Sequence, residues 1–506
     1  MGNMKGTSGI KGTRGAMLGL FALAALLPAT NAVASYGIYV GKNLTADGSV
    51  LLGGTGEEVS SHWLEIVPRR DHEQGATIIV GVDDRATYPG ELSEIPQVDQ
   101  TAKFITMEYS DYEGFPPPLT NGGLNEHGVA ARDIWSPSRA SLAAMTPEPQ
   151  TGPNYSDLSR IVMERARTAR EAVEIIGALM DEYGYSTYGG NSHLFADKDE
   201  GWLVINFAGG QGLWIAERLG PDDIRMSYPG YLGEIPVDFQ KSDDYMGSDN
   251  FISFAVEQGW YDPDSGEPFN VNEIYGNGEG RSEGVRIIEA RAQQKAGQGG
   301  VTLRDMMDYV RDPLIAGDPA GYGQVAQLRQ DLAHPDLRVL WVAPTGSVTA
   351  PFVPYWMGGT EVLPEFGKHR YLTKGEATRF VTPDFSIQEA SQFAGRLFKR
   401  LMYYTCDAPE RFLPEVTEAL TAFENASIAD SGNIEARALA LINAGHPAMA
   451  TGVFNDYSNE RSEEALELGE ALLGSIEARH RLLEGYREPK DWRTISTRSG
   501  ANVFCR

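Results

Sequence analysis

Short runs of apolar, β-branched and aromatic residues crowd the first half of the chain. Residues 37–40, 50–52, 63–67, 77–82 and 104–109 each have strand length and that composition. Ala46-Asp47-Gly48-Ser49 between the first two spells an Asp-Gly hairpin turn. Residues 124–132, 193–196 and 202–207 continue the strand pattern. Ala196-Asp197-Lys198-Asp199-Glu200-Gly201 separates the last two; no calcium-loop ligand set follows its Asp-x-Asp spacing, so a plain turn is predicted. Between these strands the period lengthens to that of a helix. A helix over 158–167 is followed by Thr168-Ala169-Arg170-Glu171, the spelling of a capping box. Val173, Ile176, Leu179 and Met180 then recur at helical spacing until Gly184, an apolar stripe that reads as core.

From about 386 to 484 the pattern is strongly helical. Leu397, Leu401, Leu413, Leu420, Leu439, Leu466 and Leu473 mark amphipathic segments with few Pro or Gly inside them. Residues 239–300 are rich in Gly, Asp and Glu and read as loops plus one helix near 285–294. Tyr88-Pro89-Gly90 and Tyr228-Pro229-Gly230 echo one another as turn signals.

The N-terminal end follows a different logic. Lys5, Lys11 and Arg14 precede an apolar run over 18–29, and Ala32-Val33-Ala34 follows. Basic, apolar, then Ala-x-Ala is the order of a secretory signal peptide, so residues 1–34 are expected to be removed and the mature chain to be periplasmic or secreted. No other apolar run approaches the ~20 residues of a membrane span. Of the 506 residues, 42% are hydrophobic and 22% charged, ordinary for a globular protein. The net charge of -27 argues against nucleic acid and against anionic membrane as partners. The scattered histidines show no paired metal spacing, so neither a metal nor a cofactor is predicted. Cys406 and Cys505 allow one disulfide or two buried thiols.

Cleavage after Ala34 leaves Ser35 first. A hydroxyl and a free α-amine then share one residue, and an amine of pKa ~7.7–8 can take the hydroxyl proton at neutral pH. Attack on an amide carbonyl gives an oxyanion that preset donors must stabilise.

Ser35-Tyr36-Gly37-Ile38-Tyr39-Val40-Gly41-Lys42, followed by Ala46-Asp47-Gly48-Ser49-Val50, resembles the mature start of the dipeptidase A/secernin family of N-terminal nucleophile hydrolases. Ser35 stands where that family has Cys. Gly123-Leu124-Asn125-Glu126-His127-Gly128-Val129-Ala130 is similar to the family's Gly-x-Asn-Glu-x-Gly-Val-Ala strand. Arg165-Ala166-Arg167-Thr168-Ala169-Arg170-Glu171, Phe195-Ala196-Asp197 and Leu213-Trp214-Ile215-Ala216 continue the resemblance, which is scattered over about 35–364. The chain also departs from the pattern. An Arg and an Asp that the family carries near the nucleophile correspond here to Gly54 and Glu57, and an Asn linked to the oxyanion corresponds to Tyr228.

The resemblance implies an α+β, Ntn-hydrolase-like four-layer αββα sandwich over 35–380, with a helical C-terminal region over 381–506 packed on it. It implies hydrolysis of an amide or peptide bond in a small substrate, with Ser35 as nucleophile, its amine as base, and Glu57, Asn125 and Tyr228 as site residues. A small peptide is the expected substrate. An N-acyl amide, cleaved by an acylase on the same scaffold, is the alternative, as is a non-catalytic exported binding protein. A homo-oligomer is compatible with everything in the sequence.

Overall fold

The computed structural model describes residues 35–56, 62–109, 112, 114–230, 233–317, 320–368, 392–485 and 505. The expected leader 1–34, the site residue Glu57 and the expected boundary at 380/381 lie outside them. Residues 33–506 cluster as one compact unit. No described helix is long and apolar enough to cross a membrane.

Fifteen strands build two antiparallel sheets: β1 Tyr36–Val40, β2 Val50–Thr55, β3 His62–Val67, β4 Phe104–Tyr109, β5 Leu119–Thr120, β6 Gly122–Asn125, β7 Ala130–Trp135, β8 Gly190–Ala196, β9 Gly201–Phe207, β10 Trp214–Leu219, β11 Ile224–Ser227, β12 Tyr245–Gly247, β13 Gly323–Leu328, β14 Val339–Ala343 and β15 Val353–Trp356. The 6-stranded sheet runs β11-β1-β2-β13-β14-β15. The 9-stranded sheet runs β12-β10-β9-β8-β7-β6-β4-β3, with β5 beside β4. The helices that matter here are α1 Tyr155–Arg165, α2 Ala169–Tyr183, α3 Glu283–Ala296, α4 Leu303–Arg311, α5 Ala394–Asp407, α6 Pro409–Asn443 and α7 Pro447–Glu484.

The local chemistry matches the sequence. Asp47 Oδ1 accepts from Ser49 N at 3.1 Å, and Gly48 takes φ 74° to close the β1–β2 turn. Thr168 Oγ1 accepts from Glu171 N at 3.0 Å and caps α2, while Glu171 returns to Arg167 N at 2.7 Å rather than to the cap residue itself. In the Asp-x-Asp turn, Asp197 Oδ1 accepts from Asp199 N and Oδ2 from Ala169 N, both at 2.8 Å, so this carboxylate ties the β8–β9 turn to the start of α2. One expected strand, 124–132, is two. Asn125 N bonds to Val129 O at 2.9 Å and Gly128 takes φ 90°, so the chain reverses between β6 and β7. The strand expected over 77–82 ends at Val80.

One face of the larger sheet packs Ala131, Phe195, Trp202 and Val204 against Leu158, Ile161, Val162 and Val173 of α1 and α2. The other faces the smaller sheet: a Cβ on Gly37 would meet Leu194 at 2.9 Å and Ile134 at 3.5 Å. The far face of the smaller sheet meets α4, where Gly53 lies against Val310 and Met306 and the Tyr36 hydroxyl donates to the Val310 carbonyl. The last three helices dock beyond β15. Trp356 stacks on Phe454 at 5.7 Å, and the Tyr355 and Ser462 hydroxyls meet at 2.7 Å. Glu424 of α6 is buried, bonded to Arg304 and Arg311 of α4 and accepting from Phe352 N at 2.8 Å. Cys406 and Cys505 form a disulfide.

Candidate active site

The β1–β2 hairpin sets the geometry around Ser35. Its register places Gly37 opposite Gly54. On one side Gly37 also faces Ser227 of β11, and on the other Gly54 faces Gln324 of β13. Directly opposed residues share a face of a sheet, so Ser227, Gly37, Gly54 and Gln324 form one row toward the larger sheet. Ser35 lies two residues before Gly37 and belongs to the same face. It is buried, with 6% of its surface exposed.

Glycines keep this row open. Gly54 has φ 156°, and a Cβ there would fall 2.1 Å from the Tyr36 carbonyl oxygen. No side chain fits that position without moving the backbone of β1, so the arginine missing from the family pattern has no room on this strand. Gly56 follows, with its carbonyl accepting from Gly321 N at 2.9 Å; a Cβ on it would touch the Tyr322 hydroxyl at 2.7 Å.

From the facing sheet, Arg132 of β7 enters this space. Its Cβ is 3.6 Å from the Cβ position of Gly37, and its guanidinium carbon is 5.9 Å from the centre of the Tyr322 ring. Arg132 is 1% exposed, and its guanidinium nitrogens meet no hydrogen-bond partner of good geometry among the described residues. Burial pulls its pKa below the ordinary value, with Tyr322 and Asp133 opposing. Gln324 is fully buried, and both of its amide atoms also lack a partner among the described residues. His62 stacks on Tyr109 at 5.2 Å and meets Tyr322 in a tilted contact at 5.6 Å.

The expected site residues fare differently. Tyr228 is one residue past the β11 ladder, at the end of the sheet where β1 begins. Its ring lies 6.0 Å from the Arg281 guanidinium carbon; burial raises the phenol pKa and Arg281 lowers it. The adjoining loop is pinned, since the Gly230 carbonyl accepts from Ser136 Oγ at 2.8 Å. Asn125 is fully buried, and its amide donates to the Ala166 and Met163 carbonyls at 2.8 and 3.2 Å. Its Oδ1 accepts from Val129 N and His127 N at 2.9 and 3.1 Å. With both N–H groups committed, Asn125 holds the β6–β7 turn to the end of α1 and has no donor left for an oxyanion.

A Ser–His pair that the sequence did not suggest lies under α1. Ser159 Oγ is 3.4 Å from His193 Nδ1, and Asn191 Nδ2 is 3.2 Å from Nε2. Asp133, cross-strand from His193, bonds instead to Asn121 at 2.5 Å. Burial lowers the His193 pKa to about 3 and raises that of Asp133 to about 7. Ser159 and His193 are sealed from solvent, so the pair belongs to the packing. The concave region of about 120 Å³ around His127, Arg167 and Arg338 lies where the β6–β7 and β8–β9 turns meet, at the end of the strands away from Ser35. Arg338 donates there to the Glu126 carbonyl at 2.7 Å. No group of three or more His, Cys, Asp or Glu among the described residues is placed to hold a metal.

The family model of peptidase family C69 matches residues 34–292. Over 256 residues the chain is 28% identical to a probable dipeptidase of Salmonella dublin, covering 49% of this chain and 55% of that one. It is 31% identical over 263 residues to a dipeptidase of Bifidobacterium longum, covering 47% and 46%. The chain thus spans about half the length of the curated relatives it matches. Among solved structures, a conjugated bile acid hydrolase variant from Clostridium perfringens aligns with TM-score 0.33 and 10% identity over 64% of this chain and 92% of that one.

Proposed function

The chain belongs to peptidase family C69, and from that premise we propose that it is an exported hydrolase that cleaves the peptide bond of a small, dipeptide-type substrate with Ser35. The observation that carries this reading is the position of Ser35. It is one residue inside the start of the family match and faces a row of the sheet cleared by Gly37 and Gly54. The printed names of the matched relatives, dipeptidase and probable dipeptidase, support the substrate class. The contacts of α1 and α2 with one sheet and α4 with the other support reading 35–380 as a four-layer αββα unit, with 381–506 as its helical annex. The Cys406–Cys505 bridge supports an oxidising, periplasmic or secreted location.

In this mechanism, removal of residues 1–34 frees the α-amine of Ser35. The amine takes the proton of Ser35 Oγ as the oxygen attacks the scissile carbonyl. The oxyanion that forms needs donors, and the Tyr228 hydroxyl is the candidate from the expected set. The amine then passes its proton to the leaving nitrogen, the C–N bond breaks, and water clears the ester. Glu57, which corresponds to the family's acidic residue near the nucleophile, is assigned the negative charge of the site. Asn125 acts as a positioning residue. No cofactor enters any step.

The test is a mature chain beginning at Ser35, compared with one retaining a single extra residue before it. The extra residue keeps the hydroxyl and moves the amine away. Peptide hydrolysis is expected to fall by ~10²–10⁴ in the extended form, the scale of a positioned base. Ser35→Ala removes hydrolysis, and Ser35→Cys retains part of it. Equal rates in the mature and extended forms overturn the reading and bring forward a binding protein. Cleavage of N-acyl amides in preference to dipeptides assigns the same site to an acylase.

A further inference from the structure

The interior beside Ser35 contains a charge that lies against the Tyr322 side chain but pairs with no carboxylate among the described residues. Arg132 is 1% exposed and makes no ion pair or hydrogen bond of good geometry among the described residues. A guanidinium stays protonated in a protein interior, and an unpaired buried charge is costly enough that an anion is expected to meet it. The nearest carboxylate in sequence, Asp133, points to the opposite face of β7, where it is held by Asn121. Gln324 adds a second unanswered group. It lies opposite Gly54, which lies opposite Gly37, whose Cβ position is 3.6 Å from that of Arg132. Two polar side chains, one from each sheet, therefore belong to the space along the glycine-cleared row that carries Ser35.

We propose that Arg132, with Gln324 beside it, is the anchor for a free carboxylate on the substrate. The inference rests on the reading of Ser35 as the reaction centre. A dipeptide always presents such a carboxylate, one residue beyond its scissile bond and hence within ~3.6 Å of chain travel from the reacting carbonyl. The guanidinium fork can take both carboxylate oxygens. The Gln324 amide supplies a further donor, and its oxygen can accept from the substrate. An anchor at this depth also sets length: the carboxylate must arrive beside Ser35 without more chain behind it. Unblocked dipeptides fit that requirement, whereas C-terminally amidated or extended peptides do not.

The experiment separates this anchor from the nucleophile. Mature Ser35→Ala protein is titrated calorimetrically with a panel of unblocked dipeptides and with the same dipeptides as C-terminal amides. The free acids are expected to bind roughly 10- to 100-fold more tightly, the range of a charge-assisted hydrogen bond lost on amidation. Adding Arg132→Gln closes the gap by weakening only the acids; adding Arg132→Lys leaves part of it. In protein with Ser35 intact, Arg132→Gln raises KM for dipeptides more than it lowers kcat. Equal binding of acids and amides to the Ser35→Ala protein overturns the anchor, and this arm needs no substitution at Arg132. So does an acid preference that survives Arg132→Gln, or failure of every dipeptide to bind. Arg132-dependent binding without turnover by any Ser35 protein would leave the anchor standing and remove the nucleophile. Turnover with an acid preference indifferent to Arg132 would do the reverse.

Discussion

Two buried arginines show how differently this molecule treats charge in its two interiors. Arg311 of α4 is 5% exposed on its side chain, and one of its nitrogens meets the carboxylate of Glu424 on α6. Arg304 reaches the other oxygen of the same carboxylate, and Phe352 N donates to it as well. Arg132, equally deep between the sheets, pairs with no carboxylate among the described residues. The first arrangement answers its charge with a carboxylate from the chain itself, although Arg311 Nε and Nη1 still lack a partner among the described residues, and it ties the C-terminal helices to the layer beneath them. The second has no carboxylate partner among the described residues. Where a fold must be rigid, its buried charges are answered internally; where it must receive a ligand, some are left for the ligand to answer.

The comparison breaks most sharply at Glu424. Glu424→Gln keeps an oxygen for Phe352 N and removes only the charge, stranding Arg311 and leaving Arg304 with Asp308 alone. Loss of one partner from a buried ion pair costs about 3–5 kcal/mol, so the urea midpoint should fall steeply. Replacing Arg304, Arg311 and Glu424 together by Met should recover much of that loss. A midpoint unmoved by Glu424→Gln would mean that the triad is solvated and that the two interiors do not differ.

A smaller effect belongs to the polar layer under α1, where His193 and Asp133 are buried. His193 has a pKa of about 3 in the folded chain, against ~6.5 unfolded. Between these values the unfolded chain binds the extra proton, so stability is lost as pH falls below ~6.5. Asp133 faces it with a pKa raised to about 7. That carboxyl acts in the opposite sense, favouring the folded state as pH falls through 7. His193→Gln removes the first effect alone. Relative to pH 7, the variant should retain about 2 kcal/mol more stability at pH 4.5 than the parent chain. Denaturant melts at the two pH values read this directly, and an unchanged acid loss would place the cause elsewhere.

What the sequence revealed follows from where information is local. The Asp47-Gly48 turn, the Thr168 cap and the stripe Val173, Ile176, Leu179 and Met180 are each written within a few residues, and each is found where expected. The 124–132 segment hid its reversal because the turn joining β6 to β7 takes only the four residues Glu126-His127-Gly128-Val129, short enough to read as part of one strand. Arg132 and Gln324 were not singled out for a different reason. A charged or amide residue in a strand ordinarily marks its solvent face, and only the packing of helices on one side of β7 and a second sheet on the other makes both faces interior. Glu424 misleads in the same way, as an acidic residue on a long amphipathic helix. A weak signal did exist: Arg132 sits between Ala131 and the Asp133-Ile134-Trp135 run, with apolar neighbours of both parities.

The finest test of the comparison is Gln324→Met, because its predicted effects on stability and on function have opposite signs. Both amide atoms of Gln324 are buried without a partner among the described residues. Methionine has nearly the same length and shape and carries no amide to desolvate. An unanswered buried polar group costs roughly 1–3 kcal/mol, so the substitution should leave the unliganded protein as stable as before or up to about 1 kcal/mol more stable. The same change removes a donor that the carboxylate anchor offers to substrate. Affinity of unblocked dipeptides for Ser35→Ala protein should then fall several-fold, toward that of their amides, while the melting temperature holds or rises. This is the stability–function trade expected of a binding site and not of a packing site. Had Gln324 been structural, like Glu424, its loss would lower stability and leave the acid-over-amide preference intact. That pairing of outcomes would put Gln324 with the internally answered groups and leave Arg132 to hold the carboxylate alone.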